Sequence, residues 1–180
     1  MKNDHFIEDE FIKAVNRYIA VINRDMIAYG LDESDLWTFV GPVSDTYANQ
    51  ELIYRLQAYD FPDNTPHRHL FFLKEFKEND QYIAFGENSN YNSTYVIEKK
   101  TGRVLSISEN GDLLDNCAAG LSFFIKAFTV MIDLEIRHVQ KKRVINPLTI
   151  LNKAVTAAGG EEYRLFYEFI FPIDIPKTLN

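Results

Sequence analysis

QYIAFGENSNYNSTYVIEKKTGRVLSI, residues 81–107, decides the fold. Tyr82-Ile83-Ala84-Phe85 is an apolar run that stops at Gly86, and a polar loop of Asn, Ser and Tyr follows from Glu87 to Ser93. Thr94-Tyr95-Val96-Ile97 is β-branched and aromatic, the kind of side chain that suits a pleated, half-buried surface. Lys99-Lys100-Thr101-Gly102 supplies a turn, and Arg103-Val104-Leu105-Ser106-Ile107 runs back. Glycine tolerates the positive φ that such turns need, so the stretch predicts a hairpin at the centre of a sheet on which helices pack.

On the N-terminal side, Leu70-Phe71-Phe72-Leu73 predicts a strand, turned towards the hairpin by Glu78-Asn79-Asp80. It follows a breaker, Phe61-Pro62-Asp63-Asn64-Thr65-Pro66. Leu36-Trp37-Thr38-Phe39-Val40 reads as a further strand, closed by Gly41-Pro42, with Trp37 either a core residue or a partner anchor. Gln50–Ala58 suits a short helix with Leu52, Ile53 and Leu56 on one face, and Val43–Tyr47 equally suits the start of a strand. The first helix is well marked. Phe6, Ile7, Phe11, Val15, Tyr18, Ile19, Ile22 and Met26 recur at three- and four-residue spacing, and Gly30 reads as the stop. Asn3 or Asp4 can cap it, with Glu8, Asp9 and Glu10 placing negative charge in its early turns.

On the C-terminal side, Glu109-Asn110-Gly111-Asp112 is a turn. Residues Asn116 to Gly120 lead into a second long helix, with Ser122 as one possible cap. Its apolar residues, Phe123 to Ile136, lie on more than one face and predict deep burial. The basic run Arg137–Arg143 has a structural explanation at a helix C-terminus. Pro147 opens a third helix that Gly159-Gly160 ends, and Tyr163–Ile170 reads as either a helix or a last strand. No repeat, low-complexity tract or linker divides the 180 residues, so one domain over 1–180 is expected.

Composition sets further bounds. With 46% hydrophobic and 25% charged residues the chain has the make-up of a globular protein. No segment approaches the length of apolar sequence that spans a membrane, and no secretory leader is visible, so a cytoplasmic protein is expected. The single cysteine, Cys117, sits beside Ala118 and Ala119 and reads as a buried thiol. The net charge of −7 is uneven: Met1–Asp63 carries twelve acidic and five basic side chains, and the remainder fourteen of each. An acidic N-terminal third disfavours nucleic acid and suits a basic protein partner.

No catalytic constellation emerges. His67 and His69 would share a strand face, but no cysteine lies nearby and Asp60 or Asp63 could complete a site only by a particular fold of the loop, so no metal and no cofactor is expected. There is no nucleophile elbow, no phosphate-cradling glycine run and no basic neighbour to activate Cys117. Asn92-Ser93-Thr94 matches a glycosylation sequon, which has no meaning without a secretory signal. The loop Glu87–Ser93 remains: its alternating Asn and Ser with Tyr91 has the make-up of a binding loop, or of a solvated turn in which Asn takes left-handed geometry.

The order of these segments resembles the SUKH superfamily of bacterial immunity proteins and yeast cell-wall-synthesis regulators. The resemblance is carried by YIAFGEN (82–88), TYVIEKKTGRVLSI (94–107), SENGDL (108–113) and DNCAAGLSFFIKAFTVMIDL (115–134). Upstream, YGLDESDLWTF (29–39) resembles the entry to such a domain's first strand. The similarity spans 29–134 and is best over 82–128, with 147–180 a helical extension. Where the family often has an acidic or Gly-rich turn after the strand-ending glycine, this chain has the Asn/Tyr-rich loop. The resemblance implies an α+β domain with a mostly antiparallel sheet of five to six strands, flanking helices and no enzymatic activity. It also implies a protein that binds and neutralises a cognate, basic toxin, such as a nuclease or deaminase. The alternative is a regulatory or scaffold module on the same fold. Glu87, Asn88, Asn90, Tyr91, Asp60, Asp63 and Asp112 are the expected partner-binding residues.

Overall fold

Period-two alternation around the deciding stretch builds a meander. The strands β1 (Phe71–Glu78), β2 (Tyr82–Asn88), β3 (Ser93–Glu98), β4 (Val104–Ser108) and β5 (Leu113–Ala118) lie in the order β1-β2-β3-β4-β5, each antiparallel to its neighbours. The computed structural model describes residues 2–42, 51–56, 59, 61, 70–140 and 146–170. Among these, the helices are α1 (Lys2–Ala28), α2 (Leu52–Leu56), α3 (Leu121–Val139), α4 (Pro147–Ala158) and α5 (Arg164–Ile170). The chain is thus a single-domain α+β arrangement with one five-stranded sheet. The expectations for Val43–Tyr47, Asp60, Pro62–Pro66, His67, His69 and the basic residues 141–143 lie outside the described residues.

The β3–β4 hairpin closes as its sequence predicts. Gly102 takes a φ of 74° and its N–H donates to Glu98 O at 2.7 Å. The apolar stripe of α1 is buried from Ile7 to Ile19, with Ile22 and Met26 half-buried and Phe6 exposed, and Gly30, at φ 84°, ends the helix. Helix α3 runs between α1 and α4 and lays Phe124 and Phe128 on the sheet, which explains why its apolar residues circle the helix. Asn146 caps α4 by accepting from Leu148 N, with Pro147 at the first helical position. Residues 161–170 form a 3₁₀ turn and then α5, so the choice between helix and strand falls to helix. Gly159 sits at the corner before it. Its φ is 120°, and a Cβ there would lie 2.7 Å from Ala119 Cβ, so only glycine lets α5 fold back beside β5.

Four expectations need correcting. β2 does not stop at Gly86 but continues to Asn88, because a bulge between Ala84 and Gly86 absorbs the extra residue. Leu113–Ala118 is an edge strand and not the approach to a helix. Helix α3 starts at Leu121 after Gly120, so Ser122 lies inside it and is not its cap. Leu36–Val40 joins no sheet. It runs extended along α1, where two asparagines take the place of a neighbouring strand. Asn23 donates to Trp37 O and accepts from Trp37 N, both at 2.8 Å. Asn16, two helical turns earlier, does the same for Val40 at 2.9 and 2.8 Å. Trp37 is half-buried and stacks on Tyr18, with ring centroids 6.5 Å apart. Nearer the start of α1, Arg55 Nε donates to Glu8 Oε2 and Tyr59 Oη to Glu8 Oε1 at 2.8 Å, fastening α2 to α1. Glu8 is buried there, and not simply one of the exposed acids of an early helical turn.

Asn23→Ala removes both bonds to Trp37. The expected cost is about 1–3 kcal/mol, the usual range for leaving buried backbone groups unpaired, read as a lower denaturant midpoint with faster amide exchange at Trp37. An unchanged midpoint and exchange rate would contradict the role given to these asparagines.

Candidate functional site

Strand register places Phe72, Gly86, Tyr95, Ser106 and Asp115 in one cross-strand row, side by side on the face that meets the helices. Small residues flank Tyr95 on both sides, and its ring fills the space they leave. The ring is fully buried, with Phe124 at 5.1 Å, Phe166 at 6.0 Å and Phe85 and Phe128 at 6.3 Å between centroids. A phenol this deep needs a hydrogen-bond partner. Asn88 provides it: its Nδ2 donates to Tyr95 Oη at 3.0 Å, while its Oδ1 accepts from Asn90 N at 3.2 Å.

Asn88 is therefore inside, at 2% exposure, together with Ser93 opposite it and Ser106 in the Tyr95 row. The sheet's inner face changes character at this corner. Beyond the aromatic layer lie Asn88, Ser93, Ser106 and Asp115, and α5 roofs them incompletely. The result is a cavity of about 320 Å³. Phe166 and Ile170 form its wall, and Tyr91, Leu114 and Phe169 its rim. Leu114 falls in a bulge of β5, between Asp115 opposite Ser106 and Leu113 opposite Ile107, which turns it to that rim. Tyr91 and Phe169 lie against each other with centroids 4.3 Å apart, and Tyr91 Oη donates to Phe169 O at 3.4 Å. The cavity opens onto a shallower groove that shares Asp115 and Phe169 and is flanked by Leu165 and Glu168.

The electrostatics are one-sided. No Lys, Arg or His lines the cavity or the groove among the described residues. Glu168 is paired with Arg164, whose guanidinium also holds Glu161 and Asn152. Among the described residues Asp115 has no ion pair, and burial raises its carboxyl above the usual carboxylate range. The hydroxyls of Ser93 and Ser106 likewise make no hydrogen bond to a described residue, although both residues are nearly buried. Beneath them, burial pushes the Cys117 thiol and the Tyr95 and Tyr167 phenols up, so all three stay protonated. Cys117 is the buried, inert thiol its neighbours suggest.

The expected site residues divide. Tyr91 stands on the rim. Asn90 is exposed at the loop tip, beside Asn92 in the left-handed region at φ 47°. Asn88 is in the cavity floor, where its amide supports Tyr95 and is not a surface contact. Glu87 is exposed but belongs to the row Glu87–Thr94–Ile107–Leu113, on the opposite face. Asp112 is exposed in the turn before β5, outside the cavity. Asp60 and Asp63 lie outside the described residues. Sequence reading missed Asp115, Leu114, Leu165 and Phe169. Only the strand register of residues 113–118, which the polar Asp-Asn-Cys run conceals, would have revealed the first two.

No protein-family model, no curated protein and no solved structure matches this chain. Among the described residues no helix is long and apolar enough to cross a membrane, and no cluster of three or more His, Cys, Asp or Glu is placed to hold a metal ion.

Asp115 yields a pH prediction. Its folded carboxyl holds a proton more tightly than an unfolded one, so ionisation opposes folding above the raised value and falling pH relieves that cost. Asp115→Asn is expected to melt higher than the wild type at pH 7, with the gap closing as pH falls through the raised value towards that of an ordinary aspartate. Equal or lower melting of the variant at pH 7 would contradict the burial of this charge.

Proposed function

We propose that the chain is a protein-binding module of the immunity type, which neutralises a cognate toxin by covering its surface. The observation that carries this reading is the run of exposed apolar side chains from the cavity's rim into the adjoining groove. Phe169 is 53% exposed at the rim, with Leu114 and Tyr91 also exposed there, and Leu165 is 76% exposed in the groove. Single apolar residues are common on surfaces, whereas a group gathered at one opening marks a contact site. Tyr91 and Phe169 already brace each other, so less side-chain freedom is lost on binding. The unpaired Asp115 and the net charge of −7 favour a basic partner, which complementary fields steer into contact. The resemblance to SUKH immunity proteins supports the same class, and the loop that departs most from that pattern forms one side of this site.

The test is co-expression with the toxin-like product of a neighbouring gene. The wild-type chain is expected to restore growth and to copurify with the toxin. Leu165→Glu, at a position with almost no burial to lose, is expected to keep its melting temperature and weaken binding by about 10- to 100-fold, the loss typical of a central apolar contact. Failure of the wild type to rescue, or full affinity in Leu165→Glu, would overturn the proposal. Copurification of one cellular protein from toxin-free cells would point to the regulatory or scaffold alternative.

A further inference from the structure

The geometry points to an arginine side chain of the protein partner as the occupant of the cavity beside Asp115, an inference that rests on the protein-binding reading above. Each wall of the cavity matches a part of that side chain. Among the described residues, no group uses the hydroxyls of Ser93 (5% exposed) and Ser106 (3%), and no cation pairs with the Asp115 carboxylate. The three groups open onto the cavity and the Asp115 carboxylate is only half-buried, so water solvates them in the free chain and a donor that enters must replace that water. All three can accept hydrogen bonds, and no positive side chain among the described residues competes for them. An anion has nothing here to balance it.

Guanidinium fits better than ammonium for two reasons. Its five N–H groups can reach a carboxylate and separate hydroxyls at once, whereas an ammonium has three donors on one point. It is also planar and more weakly hydrated, so it stacks on aromatic rings such as Tyr91 and Phe169 at the rim. The methylene stem would lie along the apolar wall of Phe166 and Ile170. A protein side chain, not a free small molecule, is favoured by the rim. A ligand that filled only the cavity would leave Leu165, outside it in the adjoining groove, bare.

The experiment titrates the full isotope-labelled chain with Nα-acetyl-L-arginine methylamide, followed by NMR. Saturable shifts are expected at Ser93, Ser106 and Asp115, with a Kd on the order of 1–10 mM for so small a fragment. The matching lysine derivative is expected to bind several-fold more weakly and the neutral citrulline derivative not to saturate. Asp115→Asn is expected to weaken arginine binding at least tenfold, while Asp112→Asn, in the exposed turn outside the cavity, leaves it unchanged. Absence of saturable shifts, equal binding of citrulline, or full affinity in Asp115→Asn would overturn the inference. The probe comparison on the unaltered chain stands even if a variant misfolds. Because no partner is present, the two proposals fail separately. Rescue without arginine binding removes the anchor alone, and arginine binding without rescue removes the toxin reading alone.

Discussion

The burial of Tyr95 is the constraint from which the site follows. Sheet, α3 and α5 meet on its ring, through Phe85, Phe124, Phe128 and Phe166. The ring supplies apolar area to the core, and its hydroxyl is paired where the neighbouring Tyr167 hydroxyl has no partner among the described residues. The alternation of β2 turns Asn88 inwards at the strand's end, where it donates to Tyr95. The loop that follows brings Tyr91 against Phe169. A core requirement thus shapes the surface feature beside it.

The same requirement leaves the corner incompletely filled. Ser106, beside Tyr95 in the row, and Ser93, opposite Asn88, are both small and leave space above them. Helix α5, only seven residues long and turned at Gly159 against Ala119, closes most but not all of the space above them. Asp115, next in the row on an edge strand, brings a charge to the opening. The result is a cavity with acceptors at its base and aromatic groups at its mouth. Beneath it, burial holds the Cys117 thiol protonated.

Much of the fold was legible because it rests on local patterns. The hairpin around Gly102, the stripe of α1 and the Asn146–Pro147 start of α4 each depend on residues close in sequence. What was not legible depends on register or on distant partners. Gly86 reads as a strand end but sits in a bulge, and Leu113–Ala118 reads as polar although it completes the sheet. Leu36–Val40 has the right residues for a strand but finds its hydrogen bonds in Asn16 and Asn23 of a helix. For the site, the Asn/Tyr loop was visible as unusual. Its division into an inward Asn88, an outward Glu87 and a rim Tyr91 required the alternation of β2 to continue past Gly86. The contributions of α5, some seventy residues further on, had no local signal at all.

The central claim is that the loop, β5 and α5 together form the binding surface. Hydrogen–deuterium exchange on the complex of the full chain with the proposed toxin partner tests it most directly. The account predicts that protection on complex formation concentrates in 88–93, 113–116 and 164–170, with α1 unchanged along its exposed side. Protection confined to α1 or to the outer face of the sheet, with those three segments exchanging as in the free chain, would contradict it.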